Sequence, residues 1–440
     1  MSARRVVVTG LGVVAPNAVG AAAFAQALRE GKSGIAFQPR LAELGFGCRV
    51  GGIPKGIPEL AERYFDPEQR FSMDANITYA SIAAIDAWTD GGLARPAPDS
   101  ADVDWASGAI IGTGLSGMDP IAEELVPGTN AGRVTRLGSN MVEQIMASGN
   151  SARIGGLLAL GNQVSTNSAA CATGTEALAN AFWRVRNGLA ERMLAGGSES
   201  HSPYVWAGFD AMRVMNRAHN DAPERASRPM SASAGGFVPG AGAGVLLLES
   251  LESALARGAR IYAEIAGVAV NCGGHRQGGS MTAPNPNAAR RCIRDAVRLA
   301  GIVPRDIDAI NGHLTATRAD PLEVGNWAAA LELGPREMPL LHATKSLIGH
   351  TLAAAGGIES AACVLELHHG FLHGSRNCED VHPAILPYEH AIVRETRELS
   401  RLRVIAKASF GFGDVNACVV FRSFSGEAQE PHELNRQGVS

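Results

Sequence analysis

Cys171 stands in the run Ser168-Ala169-Ala170-Cys171-Ala172-Thr173-Gly174, where a short strand-like piece, Gln163 to Ser165, gives way to a helical recurrence of Leu178, Phe182 and Val185. The cysteine therefore falls at a helix start. There the unpaired backbone N–H groups and the helix dipole favour negative charge, so a thiol of ordinary pKa ~8.5 is expected to become substantially thiolate near neutrality. Acyl transfer needs such a nucleophile, and the same N–H groups can hold a developing oxyanion. Position alone leaves a second reading open, that of a small buried hydrophobe.

Two histidines occupy comparable places further on. His313 ends the strand-like Ile307 to Gly312 and opens a hydroxyl-rich loop, Leu314-Thr315-Ala316-Thr317. Asp320 as N-cap, Pro321 at the first helical position and Glu323 then announce a helix carrying Val324, Trp327, Ala328 and Leu331 on one face. Lys345 and His350 lie between the strand-like Leu340 to His342 and an apolar helix with Ile358, Ala361, Ala362 and Leu365 on one face. Polar groups beside so apolar a helix are costly without a partner or a role. A Gly-rich turn, Ser409-Phe410-Gly411-Phe412-Gly413-Asp414, follows the strand-like Arg403 to Ala406. By itself it is an ordinary hairpin turn.

The elements that must position these groups alternate β-branched runs, Gly or Ser turns and Ala/Leu-rich helices, an α/β pattern. At 440 residues the chain exceeds one core unit, and the polar, turn-forming stretch from Leu251 to Ile261 divides it. The expected units are residues 1–255 with the nucleophile, 256–424 with both histidines, and a solvated tail over 425–440. A longer, degenerate two-fold repeat stays open. A composition 46% hydrophobic and 19% charged, with a net charge of -4, excludes a disordered chain and provides no global field for nucleic acid. Seven cysteines without a CxxC pair fit a reducing compartment, with cytoplasm the default. No apolar stretch approaches the ~18 residues of a membrane span. Two patterns are read as decoys. Gly10-Leu11-Gly12-Val13-Val14-Ala15 matches a dinucleotide-binding fingerprint, but Pro16 and Asn17 interrupt the helix that should follow. His369 and His373 have metal-ligand spacing, yet Gly370 between them marks a helix end, so no metal site is expected.

Taken together, Ala169 to Gly174 around Cys171, His313 with Thr315 and Thr317, Thr344-Lys345-Ser346 with Gly349-His350, and Phe410-Gly411-Phe412-Gly413 resemble the β-ketoacyl-acyl-carrier-protein synthases of the elongating, type I and II kind. The resemblance runs from Arg5 to about Phe421 and includes Ala195 to Glu199. It implies a thiolase-like fold of two similar α/β halves in five α-β-α-β-α layers, usually a homodimer, with heterodimerisation with a related subunit left open. It implies a decarboxylative Claisen condensation using acyl carrier protein as partner, without a cofactor beyond the carrier's phosphopantetheine arm. By resemblance, Cys171 takes the acyl chain and the N–H groups of Cys171 and Phe412 form the oxyanion hole. His313 and His350 bind the malonyl thioester and stabilise its enolate. Lys345 organises His313 and Glu359 is its buried acidic partner; Thr315 and Thr317 hold the pantetheine, and Phe410 and Phe412 line the substrate channel.

The family pattern is not fully kept. Leu314 and Ala316 stand at two small, flexible positions, Ser231 to Gly236 replace a charged network after Arg228, and Asp414 occupies a glycine position. These changes spare Cys171, His313 and His350, and point to altered substrate or partner choice in fatty-acid or specialised polyene and polyketide synthesis. A thiolase would place a second cysteine in the turn at Gly411 to Asp414, and a starter-type synthase an asparagine at position 350. The remaining rival is a non-catalytic chain-length partner, which typically lacks the reactive cysteine.

Overall fold

The computed structural model describes residues 4–98 and 100–424; the expected tail, 425–440, lies outside the described residues. One mixed sheet organises the chain. Its strands run in the order Leu340–His342, Ala309–Asn311, Val404–Gly411, Val415–Ser423, Ala263–Cys272, Val6–Ala15, Gly242–Ser250, Arg192–Glu199, Ser107–Thr113 and Val164–Ser165. Outward from the middle, each set of five shows two antiparallel pairings followed by two parallel ones. The chain is thus a structural repeat, and within the sheet its two halves join through a short antiparallel seam, Val6 to Val8 against Ile265 to Ala263. The helix Leu251–Ala256 runs across the division expected at 255/256.

Layering follows from burial. Val404–Gly411 and Gly242–Ser250 are buried along almost their whole length because helices cover both faces. The helices Thr173–Arg186 and Ala355–His369 pack on each other and on strands of both halves, forming the central layer. Ala75–Asp90 covers the outer face of the first half, and Pro286–Leu299 with Asp320–Leu331 that of the second. These are the five layers that the resemblance implied.

Glycine permits the two central helices to meet at their starts. A Cβ at Gly174 would stand 2.6 Å from the Gly357 nitrogen, and one at Gly356 would stand 2.2 Å from that of Thr175. The glycines of the dinucleotide-like pattern serve packing too: Gly10 and Gly12 sit on a buried strand directly beneath the Ala87 and Ala83 carbonyls. His373 turns away from His369 into the core, beside His342 and Thr344. All seven cysteines are free. Among the described residues no helix is long and apolar enough to cross a membrane.

Candidate active site

The start of Thr173–Arg186 is preceded by a tight elbow. Ala170 has φ 47, a conformation rare for residues with a side chain, and Thr173 Oγ1 ties the elbow by donating to the Ala170 carbonyl at 2.6 Å. This turn lifts Cys171 to the junction of the halves, where ligand atoms of Cys171, His313 and His350 all lie within 4.8 Å of one another. His350 Nε2 is 3.1 Å from Cys171 Sγ.

The proton on His350 can be placed from its other nitrogen. The Leu352 N–H donates to Nδ1 at 3.3 Å, so Nδ1 keeps its lone pair and the neutral ring carries its hydrogen on Nε2, pointing at the sulfur. His350 is therefore a donor toward the reacting atoms. Its tautomer leaves no Nε2 lone pair for a metal, although Cys171, His313 and His350 are close enough for metal ligation. In the second such cluster, His342, Glu366 and His373, the His373 ring is fully partnered, with Nδ1 donating to the Gly374 carbonyl and Nε2 facing Thr344 and His342, while His342 Nε2 and one Glu366 oxygen have no partner among the described residues.

Burial pushes the Cys171 thiol up to about 11, against the opposing pull of the Lys345 charge and the N–H groups of Phe412 and Cys171. The expectation of a resting thiolate is therefore corrected: removal from water outweighs the helix end, and the resting group is a thiol. The expected oxyanion donors do face the sulfur. Both histidines are held well below their ordinary pKa, first by burial and then by the Lys345 charge. Ring centroids of His313 and His350 lie 5.2 Å apart and edge to face.

His313 is positioned by its own backbone. Its N–H and that of Leu314 donate to the two oxygens of Glu323 at 2.6 and 2.7 Å. Asp320 accepts from the N–H groups of Thr315, Ala316, Thr317 and Met230. Asp320 is thus not the N-cap, a place taken by Ala319; its carboxylate instead collects the loop's orphan donors. The substitutions at Leu314 and Ala316 are absorbed here, at φ 20 and 61, inside a loop clamped by two buried carboxylates. Thr315 and Thr317 hydroxyls lie 3.0 Å apart.

Lys345 and Glu359 form a fully buried ion pair. Among the described residues the Lys345 ammonium makes no hydrogen bond to His313, so its influence there is electrostatic. Sequence reasoning missed Lys407, whose ammonium lies 2.8 Å from the other Glu359 oxygen at zero exposure. The signal was a lone charge within an apolar strand. It also missed Glu199, beside the nucleophile, whose carboxyl burial raises to about 8 against the pull of nearby backbone N–H groups. The charged network after Arg228 is rebuilt rather than lost. Arg228 reaches Glu379 and Asp380, each at 3.0 Å, and Ser231 and Ser233 bond the same Asp380.

Two cavities meet at the sulfur. One, of about 260 Å³, is lined by His313, His350, Thr315, Thr317, Phe410 and Phe412; the other, of about 220 Å³, by Leu115, Glu199, Val205, Phe209 and Phe412. Phe412 borders both and packs on Phe209 with ring centroids 6.1 Å apart. Asp414 holds this turn: at φ 60 and zero exposure, it accepts from the His275 and Asn285 N–H groups.

The chain that builds this elbow, these imidazoles and these cavities matches a known family over most of its length. Residues 3–254 fit the family description "Beta-ketoacyl synthase, N-terminal domain" and residues 262–379 its C-terminal counterpart. The chain belongs to the β-ketoacyl synthase family. Among β-ketoacyl synthases it is 35% identical over 424 residues to 3-oxoacyl-[acyl-carrier-protein] synthase 1 of Escherichia coli K12, covering 95% of this chain and 99% of that one. Two solved structures each cover 96% of this chain and are covered completely. The ishigamide ketosynthase/chain length factor gives a TM-score of 0.85 at 29% identity. A type II PKS ketosynthase, in complex with its acyl-carrier protein and bound to the hexaketide, gives 0.84 at 28%.

Proposed function

We propose that this β-ketoacyl synthase condenses an acyl group held on Cys171 with malonyl-acyl-carrier protein, giving 3-oxoacyl-acyl-carrier protein and CO2. The observation that carries the roles of its residues is the convergence of Cys171, His313 and His350 within 4.8 Å, with His350 Nε2–H aimed at the sulfur. In the first step Cys171 Sγ attacks the acyl thioester. The thioester oxygen gathers negative charge against the N–H groups of Cys171 and Phe412, and the thiol proton leaves with the pantetheine sulfur. The acyl chain then occupies the cavity past Phe412, and the malonyl arm enters along Thr315 and Thr317.

In the second step the malonyl carboxylate departs as CO2, and its electron pair becomes an enolate whose oxygen His313 and His350 stabilise. Neutral N–H donors suit this task in a dry site, because they strengthen as charge develops without pairing with the carboxylate beforehand. The enolate carbon attacks the acyl-enzyme, and Cys171 leaves as a thiolate that regains a proton. Lys345 and Glu359 stabilise the charge behind the rings, and Phe410 and Phe412 line the channel.

The partner is an acyl carrier protein, and the working compartment is reducing, with cytoplasm the simplest. The assembly is a dimer, of identical chains or with a chain-length subunit. Cys171 favours the catalytic partner of any such pair. We divide the chain between Ser250 and Ala263, where the repeat changes halves. Intact mass of the purified protein after incubation with acyl-carrier protein tests the reading. Acyl mass gain that Cys171→Ala abolishes, and product formation on adding malonyl carrier, are expected. A wild-type chain that gains no acyl mass and releases no CO2 refutes it.

A further inference from the structure

Lys407 takes no part in these steps, yet it is among the largest fully buried side chains of the protein. The strand Val404–Gly411 carries it between Ala406 and Ala408, both also buried. Its ammonium is well partnered: it donates to Ser409 Oγ at 2.6 Å and to the Ala408 carbonyl at 2.8 Å, and forms an ion pair with Glu359 Oε2 at 2.8 Å. Glu359 receives Lys345 on its other oxygen. One carboxylate therefore faces two ammoniums, and none of the three reaches solvent. A buried cation is expensive, and an apolar side chain of similar volume would fill this space at lower cost. The surplus charge is also well placed. Ser409 continues to Thr175 Oγ1, at 2.9 Å, on the nucleophile's helix, and the chain passes directly from Ser409 into the turn of Phe410 to Phe412.

We infer that Lys407 is a positioning residue for the condensation proposed above, on which this inference rests: together with Lys345 it outnumbers Glu359, and the surplus positive charge behind the site keeps His313 and His350 neutral and donating. Both rings feel burial first and then Lys345, with Lys407 adding in the same direction. On the acid limb the carboxyls nearest the rings and the sulfur do not cancel this charge. Glu323 beneath His313 and Glu199 beside Cys171 are raised by burial to about 7 and about 8. The Asp320 oxygens are taken up by four backbone N–H groups of its own loop and Met230, and the Cys171 thiol stays protonated. A proton on His350 Nδ1 would also confront the Leu352 N–H. Neutrality matters because an imidazolium would pair with the malonyl carboxylate and stabilise the state that must lose CO2.

The test compares full-length wild type, Lys407→Met and Lys407→Arg. Malonyl-carrier decarboxylation is followed from about pH 5 to about pH 8.5, alongside histidine nitrogen spectra of labelled protein. Wild-type rings should remain neutral well below the ordinary midpoint of ~6.5. Lys407→Met should raise the ring midpoints and the acid limb of kcat by about one pH unit, leaving KM for the malonyl carrier little changed. Lys407→Arg, which retains the charge, should keep the wild-type midpoint. Wild-type rings that titrate near the ordinary value overturn the inference without any variant, even where Lys407→Met fails to fold. So does a Lys407→Met protein with lower kcat and an unmoved inflection. A wild type that neither loads acyl groups nor decarboxylates sinks the proposed condensation; one that does both, with an unmoved variant profile, sinks only the role of Lys407.

Discussion

Glu323→Gln separates the two opposing forces beneath His313. The carboxylate accepts from the His313 and Leu314 N–H groups at 2.6 and 2.7 Å. A glutamine carbonyl keeps one of these bonds, while its amide confronts the other donor and leaves it unpaired, a loss of ~1–3 kcal/mol. Against this, burial and the neighbouring Asp320 charge raise the carboxyl from 4.5 to about 7. The folded protein therefore holds this proton more tightly than the unfolded chain, and the resulting stability is present below the unfolded value and lost as pH rises through about 7. Linkage makes the wild type about 2 kcal/mol more stable from this group at pH ~5.5 than at pH ~8.5, a slope the glutamine variant lacks. Urea unfolding of both proteins at the two pH values, at one protomer concentration, reads the difference directly. The variant should be clearly destabilised in acid and close to wild type in base, with kcat about tenfold lower because the His313 ring is displaced. An equal stability difference at both pH values would refute the reasoning.

Ala316→Gly should relieve the left-handed backbone at φ 61; thermal melting should show a gain of ~0.5–1 kcal/mol after the entropy that glycine adds to the unfolded chain. Asp414→Gly removes the acceptor of the His275 and Asn285 N–H groups. Denaturant titration should show a loss of ~2–4 kcal/mol, and hydrogen exchange should rise first in the Phe410 to Asp414 turn. Gly174→Ala places a Cβ 2.6 Å from the Gly357 backbone nitrogen, which no side-chain rotation can clear. A loss of ~3 kcal/mol or more is expected in urea melts, and the surviving folded protein should load acyl groups far more slowly.

Periodicity marks Cys171, His313 and His350 as candidates because each stands between a strand-like run and a helix, and the resemblance of their combined motifs to the β-ketoacyl synthases singles them out. The α/β alternation is legible from the same periodicity, whereas the five-layer arrangement is what the resemblance implied. What escapes is what depends on packing between distant segments. The helix-end argument counts donors near Cys171 but not the loss of water around it, which exists only once both halves close over the sulfur. Asp320 looks like an N-cap because its spacing to Pro321 and Glu323 is that of one, while the four N–H groups it serves belong to the preceding loop and to Met230, far away in sequence. Arg228 loses its local partners and finds Glu379 and Asp380 some 150 residues on, a replacement no local pattern announces. Lys407 has no motif around it. Only the fold reveals that its strand runs behind Glu359.

The two-fold repeat explains why the chemistry needs both halves. Each half contributes one central helix, and the site lies where their starts meet: Cys171 just before Thr173–Arg186, His350 and the Leu352 N–H just before Ala355–His369. Helix starts repel one another through their dipoles, so this meeting is unfavourable in itself. Glycines at 174, 356 and 357 make it sterically feasible, and Glu359, in the second turn of one helix, places negative charge at the junction. A carboxylate alone would overcompensate and draw protons onto the imidazoles. Lys345 and Lys407 reverse that balance, so the same buried cluster that holds the helices together adds to burial in keeping the rings above it neutral donors.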